Sequence, residues 1–192
     1  MSGRVRRVVT GHNENGKAVV ISDGDAPSVR RNPLRPGHVS TDIWKTDAAP
    51  VVIRANPEDP TAGPRQIHPP KRGTILRIAE LQPEPEALRN MSPEKAREVF
   101  KAMGNENAWS GSRHPMMHRT ETLDYAVVLE GEITMLLDEE DVHLKQGDVV
   151  IQCGTNHAWS NRSDKPCKML YVLIDGEFDV LLAQQQGSQA GH

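Results

Sequence analysis

The chain has 192 residues, which is enough for one domain with an extension. Its hydrophobic content of 36% and its formal net charge of −3 give no electrostatic bias toward nucleic acid or an anionic membrane. The longest apolar runs fall far short of the roughly 20 residues that span a bilayer, and the N-terminus has no apolar signal segment. Two cysteines make no disulfide framework. We therefore expect a cytoplasmic protein that binds neither nucleic acid nor membrane.

The first half of the chain is punctuated by proline and glycine. Short strands are predicted at VRRVVT, KAVVIS and STDIWKT, and turn residues separate them. These strands make residues 1–60 a strand-rich N-terminal extension. A proline-rich loop is predicted at residues 61–72 because that segment holds almost no apolar residues. GTILRIAEL, at residues 73–81, alternates as a strand does.

One short helix is predicted after this strand. Ser92 is a suitable N-cap, Pro93 fits the first helical position, and Gly104 ends the segment. Val99, Phe100 and Met103 would form its apolar stripe.

From His114 onward the pattern changes to strands at close intervals. They are predicted at HPMMHRT, DYAVVLE, EITMLLD, DVHLKQ, DVVIQ, HAWSN and CKMLYVLID. Many short strands joined by tight turns indicate an all-β antiparallel sandwich or barrel. Residues 179–192 form a polar C-terminal tail.

Two turn-marked motifs carry a resemblance to the cupin superfamily. Asp124, six residues and Gly131 resemble the end of the first cupin motif, in which glutamate holds the position of Asp124. His118 then falls in the first histidine position of that motif, and Thr120 replaces the second histidine. The second motif begins at Gly147 and ends with HAWSN, residues 157–161.

The resemblance covers residues 73–178 and implies a double-stranded β-helix, the jelly-roll barrel of small single-domain, RmlC-like cupins. Gly131 and Gly147 suit this fold on physical grounds, because glycine adopts the positive φ of tight corners between strands at no steric cost. Family habit suggests that the extension adds strands to the barrel edge or exchanges with a partner in a homodimer.

The resemblance also implies a site at the barrel mouth. His118, Asp124 and His157 are the predicted catalytic residues, and they could also hold a divalent metal ion (iron, manganese, zinc or nickel) as a set of two histidines and one carboxylate. His114 and Glu121 are the weaker candidates for ligands. Because aspartate is shorter than glutamate, the metal could equally be absent.

Four further residues are predicted to bind a small-molecule substrate. Thr120 could donate a hydroxyl, Trp159 could form a pocket wall, and Arg119 could anchor a carboxylate. Cys153 lies close before His157. The remaining histidines have no supporting context; they are His12, His38, His68 and His143.

Three functions stay open at this point. The first is a metal-dependent enzyme that acts on an organic acid or an aromatic or phenolic substrate, in the decarboxylase, dioxygenase, lyase or isomerase class. The second is a metal-free enzyme in which His118 or His157 acts as acid or base and Asp124 orients it. The third is a non-catalytic barrel that binds a small molecule.

Overall fold

The computed structural model describes residues 4–104 and 106–187. Most of the regular structure in this part of the chain is β-strand, and the strands are numbered in chain order. They are β1 (Arg6–His12), β2 (Ala18–Asp25), β3 (Ser28–Arg31), β4 (Val39–Thr46), β5 (Thr74–Leu81), β6 (Thr122–Glu130), β7 (Glu132–Leu136), β8 (Asp141–Lys145), β9 (Val149–Cys153), β10 (Ala158–Ser160) and β11 (Cys167–Asp175). The helices are α1 (Glu86–Arg89), α2 (Pro93–Ala102) and α3 (Val180–Gly187), and a 3-10 turn occupies Glu106–Ala108.

Two antiparallel sheets face each other and confirm the predicted all-β jelly roll. The larger sheet has the order β3-β4-β5-β11-β6-β9, and the smaller has the order β10-β7-β8. Neighbours in the large sheet are far apart in sequence, as β11 pairs with both β5 and β6. Strands β1 and β2 form a separate hairpin.

The barrel core lies between these sheets and follows from strand alternation. On β5, residues 75, 77, 79 and 81 are buried while their neighbours are partly exposed. On β6 the buried residues are 122, 124, 126 and 128. Because of this period, Arg77 and Asp124 share the inner face with aliphatic residues.

Helix α2 closes one side of the barrel and confirms the predicted helix. The Ser92 side chain accepts a hydrogen bond from the Lys95 N–H at 3.4 Å, and Pro93 begins the helix. Val99 and Phe100 are fully buried against Met117, which precedes the site segment. Helices α1 and α3 were not predicted, and α3 lies within the segment taken as a polar tail.

The predicted turns at Gly131 and Gly147 are confirmed, with φ of +78° and +93°. The strand predicted at residues 114–120 is wrong. That segment forms only isolated bridges, from His118 to Trp109 and to His157. Pro115 accounts for this, because proline cannot donate to a strand ladder.

Among the described residues, no helix is long and apolar enough to cross a membrane. The homodimer and the cytoplasmic location stay predictions.

Candidate functional site

A small cavity of about 100 Å³ lies inside the barrel. Its apolar wall includes Phe100 of α2, Leu173 of β11 and Trp159 of β10. Its polar groups come from both halves of the chain, because β5 of the first half is paired with β11 of the second half.

His118 and His157 form one edge of the cavity. Their backbones are joined by two hydrogen bonds of 2.9 Å, in which each N–H donates to the carbonyl of the other residue. The ring centroids are 4.4 Å apart. His118 Nδ1 lies 3.0 Å from the Met116 carbonyl oxygen, which can only accept, so Nδ1 carries the proton and Nε2 carries the lone pair.

His157 is held by Gln152, a buried residue that no sequence motif pointed to. Gln152 Nε2 and the Thr155 carbonyl oxygen both lie 2.9 Å from His157 Nδ1. Gln152 Oε1 accepts from the Gly154 N–H at 3.1 Å, which fixes the orientation of its amide. The His157 ring therefore cannot turn without breaking a buried network.

Both histidines are neutral at physiological pH. The pKa of His118 is lowered to about 3, mainly by burial and in part by the neighbouring His157. Burial likewise lowers the pKa of His157 to about 4, against a hydrogen bond to Thr155 that favours the charged form.

Asp124 lies on the cavity wall with its side chain buried at 6% exposure. Burial raises the pKa of its carboxyl to about 6, although a hydrogen bond from Thr122 and the charge of Arg77 favour the ionised form. Its Oδ1 atom is buried and has no hydrogen-bond partner among the described residues. A buried acceptor without a partner is costly, which indicates a position for a ligand.

Three arginines line the same cavity, and sequence reasoning missed them. Arg77 has a structural role, because its Nε donates to Asp42 at 2.7 Å and its guanidinium donates to the Gln66 carbonyl at 2.7 Å. Arg35 and Arg65 each have a buried Nε without a partner in the described part of the chain. Burial lowers the pKa of both, that of Arg65 to about 9.

One of these arginines left a signal in the sequence. Arg77 occupies an inward position of an otherwise apolar strand, between Ile75 and Ala79, and a charge at such a position indicates a buried ion pair or a site. Arg35 and Arg65 lie in loops, where the strand period carries no information about direction.

The cavity does not fit the predicted metal ion. Within residues 4–104 and 106–187, no three His, Cys, Asp or Glu side chains form a group that could hold one. Among the described residues, Asp124 is the only acid on the cavity wall, which it shares with three arginines. A divalent cation there would face net positive charge.

Among the predicted substrate-binding residues, Trp159 lines the cavity and the other three do not. Cys153 has an exposed side chain, because β9 alternates and turns Gln152 inward instead. Thr120 bonds to the Thr122 hydroxyl at 2.8 Å. It lies with Arg119 and Glu121 beside Phe178, around a separate surface depression.

His114, predicted as a weaker metal ligand, is also outside the cavity. Its Nδ1 accepts from the Met116 N–H at 3.1 Å, so its Nε2 carries the proton and donates to Glu84 at 3.2 Å. This buried pair fixes the segment before His118 and leaves neither nitrogen free for a ligand.

A larger outer cavity of about 800 Å³ adjoins the inner one. Its walls are the proline-containing loop at residues 33–38 and the segment at residues 81–95 that carries α1. Four residues line both cavities: Arg35, His38, Leu81 and Trp159. They mark the boundary through which a ligand could extend from one space into the other.

Comparison with known proteins places the chain among proteins with this barrel. The family model described as "Cupin domain" matches residues 106–173. The cupin-domain-containing oxidoreductase fogC of Aspergillus ruber is 30% identical over 179 residues, which is 90% of this chain and 73% of that protein. The oxidoreductase of the same description, virC, from Hypocrea virens is 29% identical, over 90% of this chain and 76% of that protein.

A shorter and stronger match is to the phomopsin biosynthesis cluster protein C' of Diaporthe leptostromiformis. It is 50% identical over 64 residues, which is 32% of this chain and 34% of that protein. The match thus spans about a third of the length of that relative.

Proposed function

The chain belongs to the cupin superfamily, and we propose that it is an enzyme that binds a small organic anion in the barrel cavity and transfers a proton with Asp124. The observation that carries this proposal is that a buried carboxyl group, with its pKa raised to about 6, and three arginine side chains line the same cavity. A group that titrates near the working pH is suited to general acid–base catalysis.

The arginines supply the electrostatics of the proposed reaction. Arg35 presents a buried Nε–H donor that has no partner in the described part of the chain, and a carboxylate or phenolate oxygen would accept from it. Arg65 adds a second positive charge at the same cavity. When a proton leaves the substrate, negative charge develops on an oxygen of an enolate or phenolate. Fixed cations in a buried site stabilise that charge at no further cost of reorganisation.

Asp124, rather than a histidine, is the proton-transfer group in this proposal. The pKa values of His118 and His157 lie near 3 and 4, so both rings are weak bases and neither is charged at neutral pH. Asp124 is partly ionised near its pKa of about 6. It can therefore both accept and return a proton, with His118 Nε2 as the acceptor that orients a substrate hydroxyl.

The substrate class follows from the two adjoining cavities. The inner cavity, at about 100 Å³, holds only the reacting head of a ligand. The rest would extend past Trp159 into the outer cavity, which leucine, methionine and proline side chains line. We infer an organic acid or phenol with an apolar extension, and a lyase or isomerase reaction that moves a proton.

Turnover of a panel of aromatic and aliphatic organic acids, followed by mass spectrometry, tests the proposal. Asp124→Asn should lower kcat by roughly 10²–10⁴-fold. Arg65→Gln should raise KM and lower kcat, because it removes a cation that attracts the substrate anion and stabilises the charge that develops in the reaction. Asp47→Asn, at an exposed aspartate, is the matched control. Full turnover by Asp124→Asn would exclude this role, and tight binding without turnover would favour the non-catalytic barrel.

Oxidoreduction is the second candidate, and the printed descriptions of the relatives fogC and virC favour it. Such a reaction needs an electron donor or acceptor in addition to the substrate. A product oxidised or reduced relative to the substrate, formed only when dioxygen or a nicotinamide is supplied, would support it. A product of unchanged mass, formed under nitrogen, would support the isomerase.

A further inference from the structure

A third cavity, of about 240 Å³, adjoins the barrel cavity and shares His38, Arg65 and Met103 with it. It is bounded by the end of β3, the loop that follows, the start of β4 and the end of α2. None of the residues on its wall is an aspartate or glutamate. Its polar lining consists of Arg30, Arg31, Asn32, His38, Ser40 and Arg65.

Asn32 supplies the most specific donor of this cavity. The residue is 8% exposed, and its Oδ1 accepts the Leu34 N–H at 2.9 Å. That bond fixes the orientation of the amide, so Nδ2 must be the atom on the other side. Nδ2 is buried and has no hydrogen-bond partner among the described residues.

Three further nitrogens of the cavity wall are, like Asn32 Nδ2, buried without a hydrogen-bond partner in the described part of the chain. Arg30 Nε, Arg65 Nε and His38 Nδ1 are buried, and within residues 4–104 and 106–187 none of them has a hydrogen-bond partner. The far end of Arg30 is anchored, because its guanidinium donates to the Gly63 carbonyl. Its Nε is therefore held at the cavity rather than free to reach water.

The neighbouring carboxylate, Asp42, does not line this cavity and is shared with other cations. Asp42, whose charge favours the protonated form of Arg65, accepts from Arg77 at 2.7 Å and lies 3.5 Å from Lys45. A buried donor left without an acceptor is costly. Three buried donors have no partner among the described residues: Asn32 Nδ2, Arg30 Nε and Arg65 Nε. Around one positively charged cavity they call for an anion with several acceptor oxygens.

We propose that this cavity is a binding site for a compact oxyanion, a phosphate or phosphoryl group, held by Asn32 Nδ2 and the Arg30 and Arg65 guanidinium groups. The volume exceeds that of one such group, so the anion can be free phosphate or the end of a phosphorylated ligand. The site is distinct from the proton-transfer centre, since Arg30 and Asn32 do not line the barrel cavity. Arg65 and His38 line both spaces.

Calorimetric titration of the full chain with inorganic phosphate, at constant ionic strength set with chloride, tests the site. The expected result is one phosphate per chain. A parallel titration with phenyl phosphate identifies the source of the group. Tighter binding than inorganic phosphate indicates a phosphorylated ligand, and weaker binding indicates the free anion.

Asn32→Asp is the decisive variant. It keeps the acceptor for the Leu34 N–H but replaces the Nδ2 donor with a negative oxygen, so phosphate affinity should fall at least tenfold. Arg30→Gln should lower the affinity as well, and it decides the matter if Asn32→Asp does not fold. Arg54→Gln, at an exposed arginine outside the cavity, should bind as the natural chain does. Phosphate heats equal to those of chloride, or unchanged affinity in both cavity variants, would overturn the proposal.

Discussion

His118 and His157 hold each other through a pair of 2.9 Å backbone hydrogen bonds, with their rings 4.4 Å apart. The contact joins the loop before β6 to the loop before β10, so it fixes the mouth of the barrel. Burial makes both imidazoles resist protonation, and the neighbouring His157 adds to this effect on His118.

The first prediction is that acid destabilises the protein through this pair. The folded pKa of His157, about 4, lies below its ordinary value of 6.5. The stability it contributes is therefore fully present above pH 6.5 and is lost as the pH falls through 4. From pH 7 to pH 5 the loss should be about 2 kcal/mol for this histidine.

Urea unfolding at the two pH values measures this loss. His157→Phe keeps a ring beside Trp159, which lies 5.8 Å away, but cannot take up a proton. Its stability should depend less on pH. His143→Gln, at an exposed histidine, should behave like the natural chain. An equal loss in all three proteins would contradict the prediction.

The second prediction concerns Asp124, which changes the stability of the protein with pH in the opposite direction. Its folded pKa, about 6, lies above its ordinary value of 3.8. Asp124 therefore stabilises the folded state below pH 4, and this stabilisation is lost as the pH rises through 6. The size of this loss is about 3 kcal/mol.

Asp124→Asn does not ionise, so relative to the natural chain it should gain about 3 kcal/mol of stability between pH 4 and pH 7. The free energy of unfolding at the two pH values measures the gain. Asp47→Asn replaces an exposed aspartate and should show no such change. The prediction fails if the two variants change alike.

The sequence predicted the fold better than the site, for a physical reason. Strand alternation and the turns at Gly131 and Gly147 are local signals, and they located the barrel correctly. The cavity, however, depends on pairing between distant strands, which places Arg77 of β5 and Asp124 of β6 on opposite sides of β11 and on the wall of the same cavity. Motif spacing found His118, His157 and Asp124, but it contained no trace of Arg35 and Arg65, which reach the cavity from loops.

The third prediction is that Asp42 is essential to stability. Arg77 and Asp42 are buried, at 5% and 2% exposure, with Lys45 as a second partner. Asp42→Ala would leave two buried cations without a counter-charge, and this should cost about 3–5 kcal/mol. Asp23→Ala, which breaks the exposed pair with Arg6, should cost much less, because solvent screens that pair. Chemical denaturation compares the two variants. Similar losses of stability would show that the buried ion pair contributes no more than the exposed one.

The fourth prediction compares two glycines of the family motifs. Both have positive φ, but a Cβ at Gly131 would lie 2.7 Å from the Pro166 carbonyl oxygen, while a Cβ at Gly147 would meet nothing within 4 Å. Gly147→Ala therefore carries only the backbone strain, about 1 kcal/mol. Gly131→Ala adds a collision with backbone that cannot move aside without disturbing the start of β11.

Gly131→Ala should accordingly lose at least about 2 kcal/mol, roughly twice the loss of Gly147→Ala. Thermal and urea unfolding of the two variants give the comparison directly. If both alanines cost the same, then φ alone requires glycine at these corners, and the close approach of the Pro166 carbonyl contributes nothing. If Gly131→Ala costs more, the first motif is constrained by packing between β6, β7 and β11 as well as by the turn itself.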